Sequence, residues 1–231
     1  MPAARKILVV VTSNSALGDT GRETGLWAEE LALPYRVLEE AGLEFDIASP
    51  KGGTPPIDDI SLADDYMSPA IKEFLDDSAV QERLARTITL AEAAGRSYDG
   101  VFVVGGFGVM WDLVGQRDLT TILAGTADAG RPIAAVCHAP AALARVTLAD
   151  GTGLVDGRSV TGFSNAEEDA VALGVDYLST VEDALRAAGG KYERAERVFD
   201  PHVVTDGRLH TGQNPASSEV LARRLAEDVL R

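Results

Sequence analysis

Cys137 and His138 stand side by side at the end of an apolar run, Arg131-Pro132-Ile133-Ala134-Ala135-Val136, and Cys137 is the only cysteine among 231 residues. A thiolate attacks electrophilic carbon, and an adjacent imidazole can move the proton that the attack requires. A lone cysteine in a strand is more often an inert small hydrophobe. This one ends a strand, precedes a helical pattern that opens on Pro140, and is followed by histidine. Such a strand-to-helix turn presents a side chain at the carboxyl edge of a sheet, the geometry of a nucleophile elbow with sulfur in place of oxygen. The positive end of a helix starting there is expected to lower the thiol pKa from its free value of about 8.5.

Two other segments are placed to serve that thiol. Gly105-Gly106-Phe107-Gly108 ends the apolar run before it. Glycines let backbone N–H groups come close to a ligand, so the amides of Gly106 and His138 are candidate oxyanion donors. The spacing matches neither a dinucleotide fingerprint nor a phosphate loop. Glu29-Glu30 falls in the opening turns of a helix that follows the first strand, at the same sheet edge. Either carboxyl, held near the sulfur in low dielectric, would have a raised pKa and could carry a proton. The other two histidines, His202 and His210, do not precede a carboxylate at i+2, and no Cys/His cluster has ligand spacing, so neither metal nor cofactor is expected.

The elements that must position these groups follow from hydrophobic periodicity. The β-branched run at 7–11 and the apolar runs at 101–104 and 131–136 predict buried parallel strands, and Phe45-Asp46-Ile47-Ala48 predicts a further strand. Helical patterns lie between them at 25–41 (interrupted by Pro34 and stopped by Gly42), 69–95, 111–113 and 120–129. Residues 50–69 form an excursion loop rich in Gly, Pro, Asp and Ser. After Cys137 a helix is expected to about residue 148, then a short strand at 159–161 and a helix start with an acidic first turn at 164–168. A helix over 180–188, a hairpin around Asp206-Gly207 joining 203–205 to 209–211, and a last helix from Pro215 to about Leu230 complete the chain. This β-α-β order predicts a doubly wound, mostly parallel sheet with helices on both faces, in one domain spanning 1–231.

A net charge of -15 argues against nucleic-acid and anionic-membrane partners, which need a basic face. One cysteine excludes an intrachain disulfide and fits a reducing, cytoplasmic setting. Met1-Pro2-Ala3-Ala4-Arg5-Lys6 leads into a short apolar run expected to be a strand rather than a signal peptide, and no apolar stretch is long enough to span a bilayer.

With these pieces in place the chain resembles the ThiJ/PfpI superfamily, whose fold is flavodoxin-like and of the class I glutamine-amidotransferase type. The residues that carry the resemblance are Thr24-Gly25 through Glu30 and Pro34, Gly105-Gly106-Phe107-Gly108, and Ala135-Val136-Cys137-His138-Ala139-Pro140. Val160-Thr161-Gly162-Phe163-Ser164-Asn165-Ala166-Glu167-Glu168, Thr205-Asp206-Gly207-Arg208 and Thr211-Gly212-Gln213-Asn214-Pro215-Ala216-Ser217-Ser218 narrow it to the branch with glutathione-independent glyoxalases (glyoxalase III) and related heat-shock chaperones. The resemblance implies Cys137 as nucleophile, His138 as its partner, and Glu30 over Glu29 as the pocket acid because it lies four residues before Pro34. It implies Glu168, or alternatively Glu167, as the acid orienting His138, and Gly105, Gly106 and Phe107 around the substrate. The implied activity is a cofactor-independent lyase converting methylglyoxal or a similar 2-oxoaldehyde to a 2-hydroxy acid through a Cys137 hemithioacetal. A homodimer acting on a small reactive carbonyl is implied with it. Alternatives on the same fold are a redox-responsive holdase chaperone or protein deglycase, and a cysteine amidase or peptidase; the distant His-x-Glu pair of amidotransferases is missing here. One departure stands out: the branch usually carries histidine where this chain has Phe107, which makes that pocket position apolar and unable to donate a proton, and implies either weakened glyoxalase activity or a changed substrate.

Overall fold

The computed structural model describes residues 5–175 and 178–231. In chain order the elements are β1 (Lys6–Val10), α1 (Ala28–Glu40), β2 (Glu44–Ser49), α2 (Pro69–Asp76), α3 (Ser78–Leu84), β3 (Ile88–Thr89), α4 (Leu90–Ala94), β4 (Gly100–Val103), α5 (Val109–Asp112) and α6 (Arg117–Asp128). They continue with β5 (Ile133–Val136), α7 (Pro140–Leu143), β6 (Ser159–Val160), α8 (Asn165–Val171), α9 (Val181–Ala187), β7 (Lys191–Tyr192), β8 (Val203–Asp206), β9 (Leu209–Gly212) and α10 (Ser218–Leu230). The first four residues of the N-terminal segment weighed above lie outside the described residues. No helix among the described residues is long and apolar enough to cross a membrane.

Seven strands form the main sheet in the order β3-β2-β1-β4-β5-β9-β8. All neighbours run parallel except β8 and β9, which form the antiparallel hairpin expected around Asp206-Gly207. Every residue of β4 and β5 is buried, because helices cover both faces. Helices α1 and α10 pack on each other, as do α4 and α6; α10 and α6 both touch β4 and β5, so the two pairs sandwich the sheet. Strand order reverses between β1 and β4, whose connections leave in opposite directions. The crevice at the carboxyl ends of such strands is where α/β sheets place ligands.

Where a long helical stretch is divided, the cause is side-chain caps that periodicity does not see. The helical stretch expected over 69–95 is three short helices and an edge strand. The Asp77 carboxylate accepts from Ala79 N and Val80 N, ending α2 and opening α3. Thr89 and Glu92 form a reciprocal capping box that starts α4 directly after β3. The helix expected to run from Cys137 to about residue 148 stops at Leu143. Beyond it Leu154 N donates to Val146 O and Leu148 N to Thr152 O, so the chain doubles back on itself. The short strand expected at 159–161 is β6; its parallel partner β7 was not foreseen, because a two-residue strand carries no period.

Candidate active site

The site is built at the carboxyl edge where β1, β4 and β5 end. Cys137 follows the last residue of β5 and has φ +59°, the left-handed region that a side chain normally avoids. Two neighbouring segments hold it there. Cys137 N donates to Gly212 O at the end of β9 (2.9 Å), and Phe163 N donates to Cys137 O (2.8 Å). Strain of this kind persists only where the surroundings over-determine it, and it clusters at functional sites.

Around the sulfur the side chains form a chain of hydrogen bonds. The Cys137 thiol lies 3.2 Å from His138 Nδ1, and His138 Nε2 lies 3.0 Å from Glu168 Oε1. A carboxylate only accepts, so Nε2–H donates to Glu168, which leaves the lone pair of Nδ1 facing the S–H. The imidazole is packed between the rings of Phe107 and Phe163, each with its centroid 4.6 Å away. Its tautomer and its orientation are therefore both set. Of the two acids weighed for this place, Glu168 reaches the imidazole and Glu167 does not.

Glu30 approaches the sulfur from another side. It is fully buried on the first turn of α1, and neither carboxyl oxygen has a hydrogen-bond partner of full geometry. Its polar company is the Cys137 thiol and the Gly105 N–H. With no cation to offset burial, its pKa is pushed up to about 8, so the carboxyl carries its proton at neutral pH. The expected lowering of the thiol pKa does not hold. Burial, and next to it the Glu30 charge, push Cys137 up, while the Gly106 N–H pulls the other way. A four-residue α7 supplies little of the helix dipole that was to favour the thiolate. What the geometry provides is a thiol and a carboxylic acid side by side, with an oriented imidazole to take the thiol proton.

The glycines permit this crowding. A β-carbon on Gly105 would collide with the Glu30 carboxyl and fall 2.9 Å from the Cys137 β-carbon. Gly106 has φ +100°, and a β-carbon there would sit 2.6 Å from Trp27 N. Only glycine lets this loop bring the Gly106 N–H to the sulfur.

Cys137 is 4% exposed, but it is not sealed among apolar side chains. With His138 and Gly106 it lines a cavity of about 300 Å³. Phe107 forms part of the wall, so the position where the resemblance expects histidine is apolar and packed against the imidazole. Glu29, not Glu30, is the acid on the cavity wall, and desolvation raises its pKa. Glu30 lies behind the sulfur, away from that wall.

Sequence reasoning missed the residues that hold the pocket together. Glu167 is fully buried and its carboxylate accepts five hydrogen bonds, from Ser164 N and Oγ, Gln213 Nε2, Asn214 Nδ2 and Phe199 N, at 2.8 to 3.1 Å. It ties the start of α8 to the loop after β9 and to the Phe199 segment, both of which line the cavity. The signal was present: Ser164 and Glu167 have capping-box spacing, and Gln213-Asn214 lies in a quoted motif. Nothing local indicated that the two meet. Phe163 stood in a quoted motif without a role, and Tyr66 and Phe199 carried no signal at all.

The comparisons agree with this architecture. The model of the DJ-1/PfpI family matches residues 23–228. The glutathione-independent glyoxalase HSP31 of Saccharomyces cerevisiae is 34% identical over 96% of this chain and 97% of its own length. Among solved structures, glyoxalase III of Candida albicans superposes with a TM-score of 0.83 at 30% identity, covering 98% of this chain and 96% of that one. The 24 kDa rapid encystment protein of Francisella tularensis superposes with a TM-score of 0.92 at 31% identity, covering 98% and 100%.

Proposed function

The chain belongs to the DJ-1/PfpI family, and from that premise we propose that it is a glutathione-independent glyoxalase, converting a 2-oxoaldehyde and water to a 2-hydroxy acid. The observation that carries the reading is the convergence of the Cys137 thiol, the His138 imidazole backed by Glu168, and the buried acid Glu30 beside an open cavity.

The chemistry proceeds without a net change of oxidation state. His138 Nδ1 takes the thiol proton, and the sulfur bonds to the aldehyde carbon to give a hemithioacetal. The amides of Gly106 and His138 stabilise the oxyanion before it is protonated. Removal of the hydrogen on the former aldehyde carbon gives an enediol. Return of a proton to the neighbouring carbon leaves a 2-hydroxy thioester, with His138, which lines the cavity, as the proton carrier between the carbons and Glu30 as the acid on the sulfur. Water then cleaves the C–S bond, releasing the acid and restoring the thiol. Glu168 holds the imidazole and stabilises its charged form.

Purified protein given methylglyoxal without glutathione is expected to form lactate, measured by enantiospecific dehydrogenase assay. Absence of both enantiomers, and of any 2-hydroxy acid from other 2-oxoaldehydes, overturns the reading. The two adjacent acids are expected to separate cleanly. Glu168→Gln lowers kcat by roughly 10²-fold, because the amide oxygen can still accept from Nε2–H but no longer brings the negative charge that stabilises the imidazolium, and leaves thermal unfolding nearly unchanged. Glu167→Ala strands buried donors and costs about 3 kcal/mol of stability, read by urea denaturation. If Glu167→Ala unfolds like wild type, its five hydrogen bonds do not hold the pocket.

A further inference from the structure

Resting on that reading, we propose that the substrate carries an aromatic or similarly broad apolar group on its ketone carbon, so that an arylglyoxal suits this pocket better than methylglyoxal. Five aromatic side chains from separate segments converge on the cavity above the sulfur: Trp27, Tyr66, Phe107, Phe163 and Phe199. Trp27 and Tyr66 meet edge to face with centroids 5.1 Å apart. Phe163 stands between Phe107 and Phe199, at 6.4 Å and 6.5 Å. These are the spacings of packed aromatic clusters, and a flat ring entering between them extends the same packing.

Size and polarity select in the same direction. A methyl group beside the reacting carbons covers little of a cavity of about 300 Å³ and leaves the aromatic walls wet. A phenyl ring replaces that water with apolar contact. Among the described residues no lysine or arginine lines the cavity, and the one wall acid is Glu29, in a chain of net charge -15. An anionic substituent such as a phosphate therefore meets no counter-charge. A polyhydroxylated chain fares no better: the Asn214 amide is already committed to Glu167 and to Asp200 O, and few other wall groups could replace lost water. Phe107 completes the apolar wall at the position where histidine is expected in this branch. Tyr66 and Phe199, at 48% and 46% exposed, form the mouth, so they meet the far end of a ring whose carbonyl carbons lie at the sulfur.

The test is the ratio of kcat/KM for phenylglyoxal to that for methylglyoxal, from initial rates without glutathione, with mandelate and lactate quantified as products. Wild type is expected to favour phenylglyoxal by roughly tenfold or more, the lower range for burying a ring in place of a methyl group. Tyr66→Ala and Phe199→Ala truncate half-exposed side chains, so the core does not depend on them. Each is expected to lower the ratio by roughly threefold or more, chiefly through KM for phenylglyoxal. A wild-type ratio at or below one, with lactate still formed, overturns the inference and leaves the glyoxalase reading standing. Turnover of neither compound overturns the glyoxalase reading itself. A high ratio that neither truncation moves overturns the assignment of selection to the aromatic mouth.

Discussion

Cys137→Ala is expected to lower turnover of 2-oxoaldehydes by about 10³-fold or more while the protein stays folded. Every covalent intermediate of the proposed reaction is held on the sulfur. Without it no hemithioacetal forms, and the oriented imidazole has no thiol proton to accept. What remains is substrate binding and the oxyanion amides acting on water, a slower route. The fold should tolerate the change. Alanine keeps the β-carbon, so the cost of φ +59° at this residue is unaltered, and the backbone bonds to Gly212 and Phe163 do not involve the side chain. Steady-state rates and thermal unfolding of wild type and variant decide the matter together. A variant that retains most of its turnover removes the thiol from the mechanism. A variant that loses turnover only because it is unfolded is recognised by its melting curve, and Cys137→Ser then serves as the conservative replacement.

Glu30→Gln is expected to act on both stability and rate, with opposite signs. In the fold the Glu30 pKa is about 8, against 4.5 for an unperturbed glutamate. Below about pH 4.5 the group is protonated in the folded and unfolded chains alike, and the native state bears no penalty from it. Between pH 4.5 and 8 the unfolded chain releases a proton that the native chain retains, so native stability falls by about 1.4 kcal/mol per pH unit. Above pH 8 both forms are ionised and the loss stops growing, having reached about 5 kcal/mol. Glutamine does not titrate, so this component of the pH slope should vanish in the variant. Urea denaturation at pH 5, 6.5 and 8 measures it, and equal slopes in the two proteins contradict a buried, protonated Glu30.

The catalytic effect of the same substitution follows from the same proton. At neutral pH the Glu30 acid can give its proton to the sulfur, as when the thioester is cleaved and the thiol restored. Glutamine cannot, and kcat should fall by roughly 10²-fold or more. In wild type, kcat/KM should decline as pH rises through about 8, because Glu30 then places a negative charge against the sulfur and disfavours the thiolate. The decline opposes the rise expected from thiol ionisation alone, so the two are distinguishable. A rate that climbs steadily from pH 7 to 9.5 rules out the protonated acid as the working form.

Much of this organisation was legible in the residues. Continuous β-branched runs at Ile7-Leu8-Val9-Val10 and Val101-Phe102-Val103 belong to strands buried on both faces, and no other element hides such a run as easily. The hairpin at Asp206-Gly207 was written in turn chemistry, and the helix after Pro215 in a proline that suits a helical first turn. Elements failed where stability came from single side chains. The capping box of Thr89 and Glu92 divides a helical stretch that hydrophobic period alone presents as continuous.

For the site, the sequence by itself determined the reactive set. A lone cysteine before histidine, glycines at the next strand end and acids on the first helix must all arrive at one edge of a parallel sheet, because each follows or opens an element of fixed direction. Tertiary structure decided the rest. It put Glu30 behind the sulfur and Glu29 on the wall, gave the imidazole to Glu168, and made Glu167 the tie between three segments. It also reversed the expected pKa of the thiol, since burial and a neighbouring carboxyl outweigh a helix end that is one turn long. Dielectric and proximity are set by residues distant in the chain, and no spacing within a segment encodes them.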